Sequence, residues 1–161
     1  MIFGDNIGER IAEIGVGYGG QLLVLDRIFA FKQYTFFDLP PVLELAEKYL
    51  ESFILNGAYY PTTINQHSGD MEFDLVISNY AFSELPSNLQ LCYIEKVLSK
   101  SKRGYITMNS GLENSNLHGD HLTLSALEGI LPPFQILEER PLTATSNYII
   151  VWGINSLAVN L

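Results

Sequence analysis

The feature that most narrows what this chain can fold into is the glycine-rich turn closing its first apolar run, Ile11-Ala12-Glu13-Ile14-Gly15-Val16-Gly17-Tyr18-Gly19-Gly20. The run reads as a buried strand, and the glycines behind it let the backbone turn sharply into a helix. Residues 21–31 then carry Leu22, Leu23, Leu25, Ile28 and Phe29 as a broad helical stripe, and residues 33–39 read as a second strand ending at Asp38-Leu39. Strand, glycine turn, helix, strand is the opening of an α/β sheet.

The alternation continues along the chain. Pro40-Pro41 suit the start of a helix over 41–55, with Val42, Ala46, Tyr49, Leu50 and Phe53 on one face and Asn56-Gly57 as its stop. A third strand is expected over 62–67, leading into Gly69-Asp70-Met71, and a fourth over 73–79. Ser87 is the expected N-cap of a helix that runs to Leu98, with Lys100, Lys102 and Arg103 at its end, and a fifth strand covers 104–108. A polar loop over 109–120 precedes a short helix over 121–131. Strands at 134–140 and 147–153 are joined too closely to be parallel neighbours, since a parallel crossover takes a dozen or more residues. An antiparallel terminal pair fits. The pattern predicts one domain over 1–161 with seven strands and helices on both faces.

The glycines and Asp38 together predict a site for an adenosine-containing cofactor. Glycine amides at a helix N-terminus approach a ligand closely, and an acidic residue ending the next strand can accept two hydrogen bonds from a ribose diol. Gly15, Gly17 and Gly20 also satisfy the dinucleotide pattern, so an NAD-dependent oxidoreductase is one reading. Glu13 favours S-adenosylmethionine instead, because a carboxylate two residues before the first glycine can face the cationic end of a methionine moiety. Gly69-Asp70-Met71 points the same way, offering a second carboxylate for the adenine amine and an apolar side chain for the ring face.

Composition sets the partners. Eighteen Asp and Glu against nine Lys and Arg give a formal charge of −9, which argues against a nucleic-acid backbone and suits a neutral or cationic small molecule. Cys92 is alone, so no intrachain disulfide forms, and a reducing, cytoplasmic setting is the default. No run approaches the roughly 20 apolar residues of a membrane span, and the N-terminus lacks the pattern of a secretion signal.

The segment Glu13 to Gly20 resembles motif I of class I S-adenosylmethionine-dependent methyltransferases. Three further stretches are similar to bacterial sugar O-methyltransferases: residues 37–45 (Phe37-Asp38-Leu39-Pro40-Pro41 onward), residues 73–86 (Phe73-Asp74-Leu75-Val76-Ile77-Ser78-Asn79-Tyr80 onward), and Tyr105-Ile106-Thr107-Met108-Asn109. The resemblance covers roughly 9–153. It implies a three-layer α/β sandwich: a mostly parallel, seven-stranded Rossmann-like sheet with an antiparallel C-terminal strand. It also implies S-adenosylmethionine as cofactor and a sugar-like small-molecule hydroxyl as acceptor. By position, Gly15, Gly17 and Tyr18 would line the methionine part, Asp38 would hold the ribose and Leu39 would touch the adenine. Asp70 and Met71 would cap its far side, and Asn79 would approach the sulfonium. Such enzymes usually carry an N-terminal region that dimerises or covers the substrate, so the chain is expected to be a fragment or to take its cover from elsewhere. A homo-oligomer is left open.

A neutral sugar hydroxyl is a poor nucleophile and calls for a base. His118 and His121, bracketing Gly119-Asp120 after strand five, are candidates, with Asp120 orienting the ring or else capping the following helix. Glu84, after strand four, is the third candidate. Nothing in the spacing demands a metal ion. A non-catalytic cofactor-binding module in an assembly stands beside the two enzyme readings.

Overall fold

The computed structural model describes residues 2–112 and 120–154. Its elements are β1 (Arg10–Ile14), α1 (Gly20–Ile28), β2 (Gln33–Phe37), α2 (Pro40–Leu50), β3 (Ala58–Thr62), β4 (Leu75–Asn79), α3 (Ala81–Glu84), α4 (Ser87–Lys96), β5 (Gly104–Met108), α5 (Leu124–Ile130), β6 (Phe134–Glu138) and β7 (Tyr148–Trp152). The strands form one sheet in the order β3-β2-β1-β4-β5-β7-β6. All neighbours are parallel except β7, which runs antiparallel to both β5 and β6. This is the expected architecture.

Alternation along the strands sends side chains into two layers. On one face Ala12, Ile14, Val76 and Ile106 join Phe82 of α3, Tyr93 and Ile94 of α4 and Leu127 of α5. On the other, Ile11, Tyr34, Phe36 and Ile77 join Leu22 of α1 and Leu43, Ala46 and Leu50 of α2. β1 is buried from Ile11 to Ile14, as a central parallel strand covered on both faces must be. At the far side, a Cβ on Gly104 would lie 2.1 Å from the Trp152 ring, so the missing side chain is what lets that indole lie across β5. The indole N–H donates to the Ser101 carbonyl at 3.1 Å.

Several boundaries differ from expectation. The third strand is Ala58–Thr62, not 62–67. Pro61 argues against a strand in a sheet interior, but β3 is the edge strand, where a missing N–H costs little. Helix α2 stops at Leu50, short of 55, and the Asn56-Gly57 signal serves another purpose. The buried carboxylate of Asp26 accepts from the backbone N–H of Asn56 and of Gly57, both at 3.0 Å, tying α1 to the approach of β3. Pro86, not Ser87, precedes the first turn of α4, and α5 begins only at Leu124 with Thr123 as its cap. Among the described residues no helix is long and apolar enough to cross a membrane, and no group of three or more His, Cys, Asp or Glu side chains converges as a metal site.

Candidate functional site

The strand order reverses between β1 and β4, and the chain opens a crevice there at the C-terminal strand ends. Gly15 follows β1 with φ +81° and donates its N–H to the Phe37 carbonyl at 2.8 Å, locking the turn against the end of β2. A Cβ on Gly15 would stand 2.1 Å from the Ala81 Cβ. Gly17 has φ +55° with nothing within 4 Å of a notional Cβ, so open space lies above the turn. Asp38 bridges the two strand ends: one carboxylate oxygen accepts from Leu39 N–H at 2.8 Å, the other from Gly17 N–H at 3.3 Å.

Beside this turn lies a cavity of about 370 Å³. Its walls are Ile14, Gly15, Phe37, Asp38, Leu39 and Pro40 on one side, Thr63, Ile64, Asn65 and Gln66 on another, and Ala81, Leu85, Leu89 and Tyr93 beneath. Apolar walls with a few convergent amides and one carboxylate suit a flat heteroaromatic ring attached to a diol. Leu39, 69% exposed, stands at its rim. These residues fit an adenosyl group.

On the α1 side of the glycine turn a larger apolar groove, about 550 Å³, begins at Tyr18, Gly20, Gln21 and Asn79 and runs down past Val24, Ile77 and Tyr105 to Phe3. Tyr18 is 59% exposed and meets Tyr49 edge-on at 5.1 Å. Asn79 ends β4, donates to the Gln21 side-chain carbonyl and accepts from the Thr107 hydroxyl at 3.2 Å. Glu13 lies below, 3% exposed, accepting from the Tyr34 hydroxyl at 2.9 Å. Burial pushes its carboxyl up to about 8, the Tyr34 hydrogen bond pulls it down, and the Asp38 charge adds to the rise. The carboxyl is therefore set under α1 and does not line the open crevice.

The structure does not bring Asp70 and Met71 to this site. Met71 lies 3.2 Å from the Gln33 side-chain nitrogen, at the opposite, N-terminal end of β2, and partly buries against the core below. Gly69 is packed against Lys96 at the end of α4, and Asp70 is exposed there. The reason is geometric. A five-residue parallel strand rises roughly 17 Å, so the chain leaving the top of β3 must descend that far before β4 starts. Met71 precedes Leu75 by too few residues to stand at the top. The place expected for Asp70 is taken by Asn65 and Gln66, which the misplaced third strand had hidden. Counting residues back from the start of β4 was the signal that would have found them.

Past β4, Tyr80 is the single non-glycine residue with positive φ, at +66°, among the described residues. Its hydroxyl donates to Glu139, just beyond β6, whose other oxygen accepts from the N–H and hydroxyl of Thr143, each at 2.8 Å, and from Asn147 at 3.1 Å. The Tyr80 bond, with those from Thr143 and Asn147, draws the Glu139 carboxyl down to about 2 against its desolvation. No local sequence signal announced this cluster. Glu84 ends α3, exposed, and accepts from the Asn109 amide at 3.0 Å, which places it over the ends of β4 and β5. His121 lies ahead of α5, its Nδ1 2.9 Å from the Leu85 carbonyl. Asp120 neither orients that ring nor caps α5: its carboxylate accepts from the Ser87 hydroxyl at 2.8 Å, at the head of α4. His118 lies outside the described residues.

No protein-family model matches the sequence, and no curated protein is similar to it in sequence. Solved structures are similar in fold. The mitomycin 7-O-methyltransferase MmcR matches with TM-score 0.65 at 16% identity, over 89% of this chain and 48% of its own. The methyltransferase domain of bacterial CtHen1 matches with TM-score 0.64 at 14% identity, over 89% of both. TrmK of M. capricolum, in complex with S-adenosylhomocysteine, matches with TM-score 0.57 at 18% identity, over 91% of this chain and 62% of its own. The chain thus spans about half the length of MmcR. Strand order, the lone antiparallel strand and these similarities agree: the chain has the Rossmann-like fold of class I S-adenosylmethionine-dependent methyltransferases.

Proposed function

We propose that the protein is an S-adenosylmethionine-dependent O-methyltransferase acting on a hydroxyl of a sugar or other small molecule. The observation that carries this reading is the cavity at the β1/β4 switch point, bounded by the glycine turn, Asp38 and the Asn65-Gln66 amides. Asp38 would hold the ribose, Leu39 and Tyr93 the faces of the adenine, and Asn65 with Gln66 its edge. Gly17 and Tyr18 would flank the amino-acid end, with Asn79 beside the reacting centre.

The cofactor supplies a methyl carbon on a positively charged sulfur. Transfer needs the acceptor oxygen aligned with that carbon as the carbon–sulfur bond breaks, so positioning carries much of the rate. The hydroxyl proton must leave as the oxygen–carbon bond forms. Glu84 is the base this reading favours, because Asn109 orients its carboxylate over the ends of β4 and β5 while leaving it exposed. His121 is the second candidate: its Nδ1 faces the Leu85 carbonyl and so carries the ring hydrogen there, which leaves Nε2 as the nitrogen that could take a proton.

Thermal denaturation with S-adenosylhomocysteine, S-adenosylmethionine and NADH tests the cofactor. A saturable rise with the two sulfur ligands alone supports the reading, and a rise with NADH alone refutes it. An acceptor screen with isotopically labelled methyl then tests turnover. Glu84→Gln is expected to lower kcat by 10²-fold or more while retaining cofactor binding, and an unchanged kcat would remove Glu84 from the mechanism.

A further inference from the structure

The apolar groove on the α1 side of the glycine turn, about 550 Å³, falls in the size range of sites that take small organic molecules. Its floor is one face of β4, where Leu75, Ile77 and Asn79 alternate along the strand over roughly 13 Å. Val24 and Leu25 of α1 wall one side, Tyr105 of β5 lies on the other, and Phe3 and Phe29 close the foot. None of the lining residues carries a charge. Apart from the phenols of Tyr18 and Tyr105, the polar side chains are Gln21 and Asn79, which hydrogen-bond to each other at the head. A Cβ on Gly20 would lie 2.6 Å from the Tyr18 ring, so the missing side chain lets that ring form the upper rim. The foot is pinned from outside. Arg103 lies over the Phe3 ring at 5.6 Å and donates to the Asn6 carbonyl at 2.7 Å, which holds Phe3 as a wall.

Resting on the methyltransferase reading, we propose that this groove holds the tail of the acceptor, and that the acceptor is an amphiphile. Its hydroxyl-bearing head sits by Asn79, and a linear apolar tail runs along β4 to Phe3. Continuity with the cofactor cavity carries the assignment: Gly15 lines that cavity and Gly20 the groove, at the two ends of one turn. A molecule seated in the groove therefore has one end beside the reacting centre and the other far from it. The change of polarity along the groove fixes which end is which. A polar tail would give up water against walls that offer it no partner, and a sugar with no tail would leave those walls wet. An extended alkyl chain of roughly ten carbons covers the 13 Å or so of floor. Each methylene is worth about fourfold in affinity when fully buried and about twofold at half burial, so the tail decides which hydroxyl compounds are held.

Isothermal calorimetry on the chain loaded with S-adenosylhomocysteine tests this with alkyl β-D-glucosides below their micellar concentrations, and with D-glucose. Affinity is expected to rise about twofold to fourfold per methylene from the butyl to the octyl glucoside, with glucose showing no saturable binding. Val24 is 56% exposed, so Val24→Glu puts a carboxylate in the groove without disturbing the core. It should weaken the octyl glucoside about tenfold or more and keep the thermal shift with S-adenosylhomocysteine. Leu45→Glu, at an apolar side chain 55% exposed on α2 and outside the groove, should leave binding unchanged. Affinity independent of chain length, equal weakening by both variants, or no octyl glucoside binding to the loaded protein would overturn the inference and leave the cofactor reading standing. A dimer in sedimentation that Val24→Glu dissolves would give the groove to a second copy of the chain and overturn it as well. Failure of S-adenosylhomocysteine itself to bind, in protein that melts cooperatively, would overturn the cofactor reading and this inference with it.

Discussion

Replacing Gly15 with alanine separates two costs that the structure assigns to different glycines of the same turn. At Gly15, φ is +81° and the new Cβ would stand 2.1 Å from the Ala81 Cβ, whereas carbon atoms rest at about 3.5–4 Å. Helix α3 and the end of β1 must part by about 1.5 Å, and overpacking of that kind costs about 2 kcal/mol. The left-handed backbone adds about 1 kcal/mol. At Gly17, φ is +55° but nothing lies within 4 Å, so Gly17→Ala meets the backbone cost alone. Urea unfolding followed by the fluorescence of Trp152, the lone tryptophan and buried, measures both. With a urea slope of about 2 kcal/mol/M, Gly15→Ala is expected to lower the midpoint by about 1.5 M and Gly17→Ala by about 0.5 M. Ala81→Gly removes the atom that is struck, so in the double variant it should recover about 1–2 kcal/mol as a coupling energy. Equal midpoints for the two alanine variants, or no coupling with Ala81→Gly, would refute the claim that close packing of α3 onto the turn is what requires glycine at position 15.

Other perturbations probe the site and its supports. Folding raises the Glu13 carboxyl from 4.5 to about 8, so the folded state holds the proton more tightly than the unfolded one. This contribution is fully present below about pH 4.5 and is lost as pH rises through about 8. Wild type should therefore lose up to about 4 kcal/mol relative to Glu13→Gln between pH 4.5 and 9, and parallel stability curves for the two would refute the assignment. Asp38→Ala should abolish the thermal shift with S-adenosylhomocysteine while Asp70→Ala keeps it, and the reverse result would restore Asp70 to the site. Asp26→Ala strips the acceptor from the N–H groups of Asn56 and Gly57 and should cost about 2 kcal/mol in urea unfolding. A loss under 0.5 kcal/mol would show those groups find other partners.

What the sequence could determine was whatever depends on local pattern. Periodicity, glycine placement and short connections are properties of neighbouring residues, so they delivered seven strands, the turn after β1, the acid ending β2 and the terminal antiparallel pair. Where a local signal had two uses, only packing chose between them. Pro61 is tolerated because β3 is an edge, and edge position is decided by which strands pair, not by the residues of β3. That one decision moved the post-strand corner from Asp70 to Asn65 and Gln66, because height above the sheet is counted from strand ends and not from motifs. Glu13 has the residue type suited to an ammonium, yet its exposure, its Tyr34 partner and its raised carboxyl follow from β2 and α1 closing over β1. Tyr80, Glu139 and Asn147 meet across more than fifty residues of chain. Contacts of that range exist only after the sheet has formed, so the tertiary structure alone decided them.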